Sequence, residues 1–226
     1  MTLGLFITGT DTSVGKTIAC AALLHALAHT HRRVVGMKPV AAGAALHEGQ
    51  WTNEDAVALR AASTVAVPPA LDNPVLLPEP LSPHIAAARA GQSISVPSIV
   101  QSYQALAAQA DAVVVEGAGG FHVPLTATET GADLALALNL PVVLVVGLRL
   151  GCLNHAALTA EAIRARGLTL AGWVANRMDP GMQAPQENID WLRQHLQAPL
   201  WADIPYRPHP DPRTLATCYR LPAPWK

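Results

Sequence analysis

Nine residues, Gly9-Thr10-Asp11-Thr12-Ser13-Val14-Gly15-Lys16-Thr17, constrain this chain more than any other stretch. An apolar run from Leu3 to Ile7 precedes them and an apolar helical stretch from Ile18 to Leu27 follows. That is the strand, glycine-rich turn and helix of a triphosphate-binding loop. In such a loop, backbone N–H groups of the turn and of the helix N-terminus face phosphate oxygens. Lys16 is then placed to neutralise the β and γ phosphates, and the Thr17 hydroxyl to ligate magnesium. A Gly-Lys-Thr without those flanks would say little. The pattern departs from the usual one at a single point: the first glycine is expected at position 10, where the chain has Thr10, and Gly9 stands one residue earlier.

Such a loop implies an α/β fold of the P-loop NTPase type, a mostly parallel sheet with helices on both faces. With 226 residues, half of them hydrophobic, the chain can bury one sizeable core, so residues 1–226 are predicted to form a single domain. The formal charge is −1 and no block of like charges occurs, which points away from nucleic acid and membrane surfaces and toward small mobile ligands. Cys20, Cys152 and Cys218 have no paired spacing, and the nine histidines show no ligand spacing, so neither a disulfide framework nor a zinc site is expected. With no signal-like segment and no apolar run of about 18 residues, a cytoplasmic location is expected.

Beyond the first helix, Arg33 to Met37 reads as a buried strand stopped by Lys38-Pro39, which puts Lys38 at a strand's carboxyl end. Open parallel sheets bind ligands at that end. Lys38 is therefore either a second lysine of the phosphate crevice or a solvated surface lysine. Val40 to Trp51 reads as a loop, after which Asn53 caps a helix over Glu54 to Arg60. Asp55 is either a favourable acid in a first helical turn or a carboxylate near the metal, and spacing leaves both readings open. Residues 68–83 hold six of the nineteen prolines and read as an extended connector packed on the domain.

Helices are predicted over Ile85 to Ala90 and Ser98 to Gln109. Ala112 to Val115 reads as a buried strand ending in Glu116-Gly117-Ala118-Gly119-Gly120, an acid followed by small residues, which suits a magnesium ligand beside phosphate. Pro141 to Gly147 is the most apolar strand, and Leu150 to His155 leads into a helix from Ala156 to Arg166 whose opening amides could receive a carboxylate. No element is predicted over 121–140. Leu170 to Ala175 reads as a strand with Asn176 at its end, where an amide can pair with an adenine edge. Pro185 to Leu196 reads as a helix, and Ile204-Pro205-Tyr206 closes a last short strand.

The segments GTDTSVGKT, GMKPVAAG, VVVEGAGG, VVGLRLGCLNHA and GWVAN, in this order and spacing from about residue 3 to about residue 206, together resemble the dethiobiotin synthetases of biotin biosynthesis. The combination is far more specific than the phosphate loop alone. The resemblance implies a cytoplasmic homodimer that uses ATP and magnesium to convert 7,8-diaminononanoate and CO2 into dethiobiotin, ADP and phosphate. It implies that Lys16, Lys38 and Thr12 act at the reacting groups, and that Thr17, Asp55 and Glu116 are the magnesium ligands. Ser13, Val14, Gly15, Lys16, Thr17 and Ile18 would hold the phosphates with Glu116, Gly117, Ala118 and Gly119. Asn176, Arg177, Pro205 and Tyr206 would hold the adenosine end. Thr12, Lys38 and Ala42 would face the substrate, whose distant carboxylate would meet Gly151, Cys152, Leu153 and Asn154 of the partner subunit. Members of the family often carry serine where this chain has Ala42, so one substrate-side hydroxyl is missing here.

Two other classes share the phosphate loop. Switch ATPases of the partitioning and division-site type usually carry an extra lysine near the start of the loop, where this chain reads Thr10-Asp11-Thr12. Amidotransferase synthetases of cobalamin biosynthesis normally add a glutaminase domain, for which 226 residues leave little room.

Overall fold

Period-two alternation of apolar residues divides the core between the two faces of one sheet. On one face lie Leu5, Ile7, Val114, Val143 and Val145; on the other lie Phe6, Val113, Val115, Leu144 and Val146. In the computed structural model, which describes residues 2–47, 49–223 and 225 (His47 by its backbone only), helices cover both faces, as predicted.

The elements run β1 (Leu3–Gly9), α1 (Lys16–Leu27), β2 (Val34–Met37), β3 (Val40–Ala42), β4 (Ala45–His47), β5 (Gln50–Thr52), α2 (Glu54–Ala62), α3 (Pro69–Asp72) and β6 (Val75–Leu77). They continue with α4 (Pro83–Arg89), α5 (Val96–Ala107), β7 (Ala112–Gly120), α6 (Gly131–Leu138), β8 (Val142–Leu148), α7 (Cys152–Ala165), β9 (Leu170–Arg177), α8 (Pro185–His195), β10 (Leu200–Ile204) and α9 (Pro212–Leu215). The central sheet has the order β10-β9-β8-β1-β7-β2, and all its pairings are parallel. The carboxyl ends of β1, β7 and β2 are therefore neighbours, and they carry the phosphate loop, the Glu116 segment and Lys38. Among the described residues no helix is long and apolar enough to cross a membrane.

Several boundaries differ from those predicted, each for a physical reason. Residues 40–51 are not a plain loop: β3 pairs in parallel with β6, and β4 with β5 forms a small antiparallel hairpin. Residues 68–83, read as a connector, therefore contain the short α3 and β6, whose strand can form because Pro74 and Pro78 fall just outside it. β7 does not end at Val115. It continues through Glu116 to Gly120, with a register shift against β1 between Ile7 and Gly9.

The helix expected from Ala156 begins four residues earlier, at Cys152, because Gly151 at φ 94° supplies the turn that opens it. α6 lies where no element was predicted. Its Leu-Ala alternation hides the helical period, although Gly131, Leu134, Ala135 and Leu138 are buried on one face, and Thr130 and Asp133 form a reciprocal capping box at its start. Residues 207–223 pack back onto the domain: Leu215, Tyr219 and Leu221 are buried in the same cluster as α1, and the Tyr219 hydroxyl donates to the Ala19 carbonyl at 2.7 Å.

Candidate active site

The displaced glycine of the phosphate loop explains itself in space. A Cβ on Gly9 would lie 2.6 Å from Val14 Cγ2 and 3.1 Å from Lys16 Nζ, so the turn closes over position 9 and excludes any side chain there. Thr10 faces no such restriction. Gly15, at φ 82°, takes the left-handed conformation that opens α1, and a Cβ there would meet Asn176 Nδ2 at 2.1 Å. That close approach reflects a bond the sequence does not reveal. Asn176 lies inside β9 rather than beyond it, and its side-chain amide donates to the Val14 carbonyl at 2.9 Å, bracing the loop from beneath. Asp11, on the loop's other flank, pairs with Arg149 at the end of β8.

Lys16 and Lys38 are 6% and 5% exposed, and they converge as the sequence reading proposed. Lys16 Nζ donates to the Asp11 carbonyl at 3.0 Å. Lys38 Nζ lies 2.7 Å from Asp55 Oδ2 and 2.6 Å from Glu116 Oε1. The solvated-surface reading of Lys38 is thereby excluded. Asp55 stands in the first turn of α2, capped by Asn53, and its side chain also reaches Thr17 and Lys38.

Burial lowers the Lys16 pKa, a shift that Glu116 offsets only in part and Lys38 reinforces. For Lys38 burial acts in the same direction, but the two carboxylates outweigh it and hold the ammonium above the ordinary lysine value. Burial would raise the Asp55 pKa; the charge and hydrogen bond of Lys38 and the Thr17 hydroxyl reverse that and keep it below the ordinary value.

The donor set suits a divalent cation. The Thr17 hydroxyl lies 2.7 Å from Asp55 Oδ1 and 2.9 Å from Glu116 Oε1, and its one proton cannot serve both carboxylates. Glu116 Oε2 is fully buried and has no hydrogen-bond partner among the described residues. A buried carboxylate oxygen without a donor, beside a hydroxyl and a second carboxylate, is the hard-oxygen environment magnesium takes beside phosphates.

Next to this cluster lies a cleft of about 550 Å³ lined by Thr12, Lys38, Val40, Ala42, Asp55, Pro80, Leu81, Ser82, Pro83, Ala118, Gly119 and Val123. The three residues expected to face substrate, Thr12, Lys38 and Ala42, all line it. The 80–83 wall was invisible in the sequence, because it reaches the cleft only through the pairing of β6 with β3. Gly151, Cys152, Leu153 and Asn154 do not line it. Arg177 is engaged bidentately by Asp203 across β9 and β10, while Pro205 and the exposed Tyr206 follow β10.

Residues 3–214 match the family model described as an AAA domain. The ATP-dependent dethiobiotin synthetase BioD of Ralstonia nicotianae is 57% identical over 212 residues, covering 94% of this chain and 93% of that protein. The chain belongs to the dethiobiotin synthetase family. The protein of the same name from Aromatoleum aromaticum is 53% identical, with 96% of each chain covered. Solved structures show how widely the fold is shared beyond the synthetases. A ParA family ATPase from Chlorobium tepidum has a TM-score of 0.59 at 13% identity, covering 92% of this chain and 86% of that one. A chain of the MinC:MinD cell division protein complex of Aquifex aeolicus has a TM-score of 0.57 at 16% identity, covering 91% of this chain and 82% of that one. At such identities the likeness concerns the P-loop NTPase fold alone.

Proposed function

We propose that residues 1–226 work as one ATP-dependent dethiobiotin synthetase domain, joining CO2 and 7,8-diaminononanoate into dethiobiotin with release of ADP and phosphate. The observation that carries this reading is the meeting of nucleotide loop and apolar cleft at Lys38, in a chain 53–57% identical to two dethiobiotin synthetases over nearly its whole length. The switch-ATPase reading is not favoured, because its support is a shared fold at 13–16% identity.

The diamine's hydrocarbon chain lies along Val40, Ala42, Leu81 and Val123, and its two amines sit at the Lys38 end of the cleft. One amine adds to CO2 and loses a proton to form a carbamate, whose negative charge Lys38 stabilises with Thr12 as a hydrogen-bonding neighbour. A carbamate oxygen attacks the γ-phosphorus and the bond to the β-phosphate oxygen breaks, giving ADP and a carbamic-phosphoric anhydride. The second amine attacks the carbamate carbon, inorganic phosphate leaves, and the amine's proton is lost as the cyclic urea closes.

Lys16 offsets charge on the transferring phosphoryl group, and the cleft contributes by holding both amines in reach of one carbon. Magnesium, held by Thr17, Asp55 and Glu116, supplies further charge neutralisation of the phosphates when bound. Asn176, with the Pro205–Tyr206 segment, receives the adenine. The enzyme acts as a homodimer in the cytoplasm, and Gly151 to Asn154 of the second copy receives the substrate carboxylate.

The test is a reconstitution. Protein with diaminononanoate, bicarbonate, magnesium and ATP yields dethiobiotin and phosphate in equal amounts, and omitting any component stops both. Phosphate release that does not need the diamine would favour a switch ATPase instead.

A further inference from the structure

Lys38 follows the last residue of β2, the edge strand of the central sheet, so no neighbouring strand of that sheet flanks it on the outer side. Its backbone is nevertheless held from that side. The Lys38 N–H donates to the Asp72 carbonyl at 2.7 Å, and Asn73 Nδ2 donates to the Lys38 carbonyl at 2.7 Å and to the Val75 carbonyl at 3.2 Å. The Val75 N–H then donates to the Pro39 carbonyl at 3.1 Å, opening the β3–β6 pairing. Residues 72–75 thus stand in for the missing strand at the point where the lysine leaves the sheet.

This strip has its own anchor. The Asp72 side chain is almost fully buried, and Arg60 holds it bidentately, with Nε at 2.8 Å from one oxygen and a terminal nitrogen at 2.6 Å from the other. Arg60 sits in α2, five residues after Asp55, roughly 7.5 Å along the same helix axis. One fork of hydrogen bonds therefore ties the helix that carries Asp55 to the strip that fixes Lys38, which has its ammonium on Asp55. The planar guanidinium fixes both distance and orientation, which a single-point contact would not.

We propose that Arg60, Asp72 and Asn73 form a clamp that positions Lys38 against Asp55 and the cleft. They are positioning residues: none of them lines the cleft. The consequence for turnover rests on the ligase reading of Lys38; the placement of Lys38 does not.

Two measurements on the full chain test the clamp in Arg60→Met and in Asn73→Ala, the latter leaving no buried charge unpaired should Arg60→Met not fold. The first is trace acylation of lysines, read peptide by peptide, with Lys16 as internal reference. A released Lys38 acylates several-fold faster relative to Lys16 than in the unaltered protein. Equal acceleration of both lysines, or an unchanged Lys38 in a folded variant, overturns the proposal. The second is steady-state kinetics. Misplacement of a reacting group by about 1 Å costs up to about a hundredfold in rate, so kcat falls by roughly ten- to a hundredfold while KM for ATP stays within about twofold. In a Lys38→Ala background the same changes add little further loss, whereas effects that multiply in full point to general destabilisation and overturn the proposal. If the unaltered protein makes no dethiobiotin, the ligase reading fails while the labelling ratio still decides the clamp.

Discussion

Lys16 and Lys38 are buried alike, yet they are held by two different kinds of structure. Lys16 belongs to nine contiguous residues whose turn is closed by their own contacts, Gly9 against Val14 and Lys16 Nζ on the Asp11 carbonyl. Lys38 is fixed by pieces scattered along the chain: Asp55 and Arg60 from α2, Asp72 and Asn73 after it, and Glu116 from β7. The local structure shapes an anion site whatever chemistry follows, which is why it is shared with ATPases of unrelated roles. The dispersed one adds a second cation and two carboxylates beside a cleft, and the proposed function assigns the choice of reaction to it.

The largest effects expected are those that separate the two lysines. Both Lys16→Ala and Lys38→Ala lower turnover by roughly a hundredfold or more, the scale of losing one charge-stabilising group in a closed site. Only Lys16→Ala is expected to weaken ATP binding substantially, because in the proposed function Lys16 is the lysine assigned to the phosphates. Lys38→Ala keeps ATP affinity within a few-fold, measured by nucleotide titration, and loses kcat. Near-normal turnover in Lys38→Ala would break the comparison.

A smaller effect, about ten- to a hundredfold in kcat with a raised magnesium requirement, is expected for Glu116→Gln and Asp55→Asn. Each replacement removes one of the two carboxylates on Lys38, but Glu116 is fully buried whereas Asp55 is partly exposed, so Glu116→Gln has the larger effect of the pair. An unchanged magnesium dependence in Asp55→Asn would return that residue to its role as a helix N-terminal acid.

The same division explains what could be read in the sequence. The phosphate loop, the Asn53 cap, the buried strands and the acid at Glu116 are coded by neighbours within a few residues, and each was legible. β3 with β6, the 80–83 wall and the Asp72 contact are coded by pairings of residues 12 to 36 positions apart, with no local signature beyond an apolar, proline-rich run. α6 sits between these cases. Its Thr130–Asp133 capping box and Asn139 at φ 51° are local signals, masked by the Leu-Ala alternation from Leu134 to Leu138.

That capping box gives a test of local coding away from the site. The Thr130 hydroxyl and N–H, burial opposing them, and Arg166 bring Asp133 to a pKa of about 2, below the usual value near 3.9 for an unfolded chain. A depressed carboxylate stabilises the fold above its unfolded pKa and ceases to do so as pH falls through the folded one. Asp133→Asn is therefore expected to cost about 1 kcal/mol at pH 6 to 7 in denaturant unfolding, with the difference shrinking from about pH 4 toward pH 2 and kcat unchanged. A loss that persists at pH 2 would mean that packing rather than charge is responsible.

The smallest effect concerns the far end of the substrate and the proposed second copy. The helix opening at Gly151 is less open than the sequence suggests, because the Cys152 N–H already donates to the Arg149 carbonyl at 3.0 Å. Leu153 and Asn154 have amides with no acceptor among the described residues, so in the proposed function it is these two that would receive the substrate carboxylate. Such an exposed helix N-terminus favours an anion by about 0.3 to 1 kcal/mol, equivalent to roughly a two- to fivefold change in affinity. Proline is tolerated in a first helical turn, where the missing N–H breaks no helix bond. Asn154→Pro is accordingly expected to raise KM for the diamine by that factor, with KM for ATP and thermal stability held, while Asn154→Ala controls for the side chain. Cys152→Pro, which removes an amide already engaged, has less effect on the diamine. Because these amides lie outside the chain's own cleft, mixing Asn154→Pro with Lys38→Ala protein makes the arrangement visible: sites shared across a dimer regain one unaltered site in each exchanged heterodimer. Confirmed subunit exchange with no recovery of activity and a diamine KM still raised would confine the site to one chain.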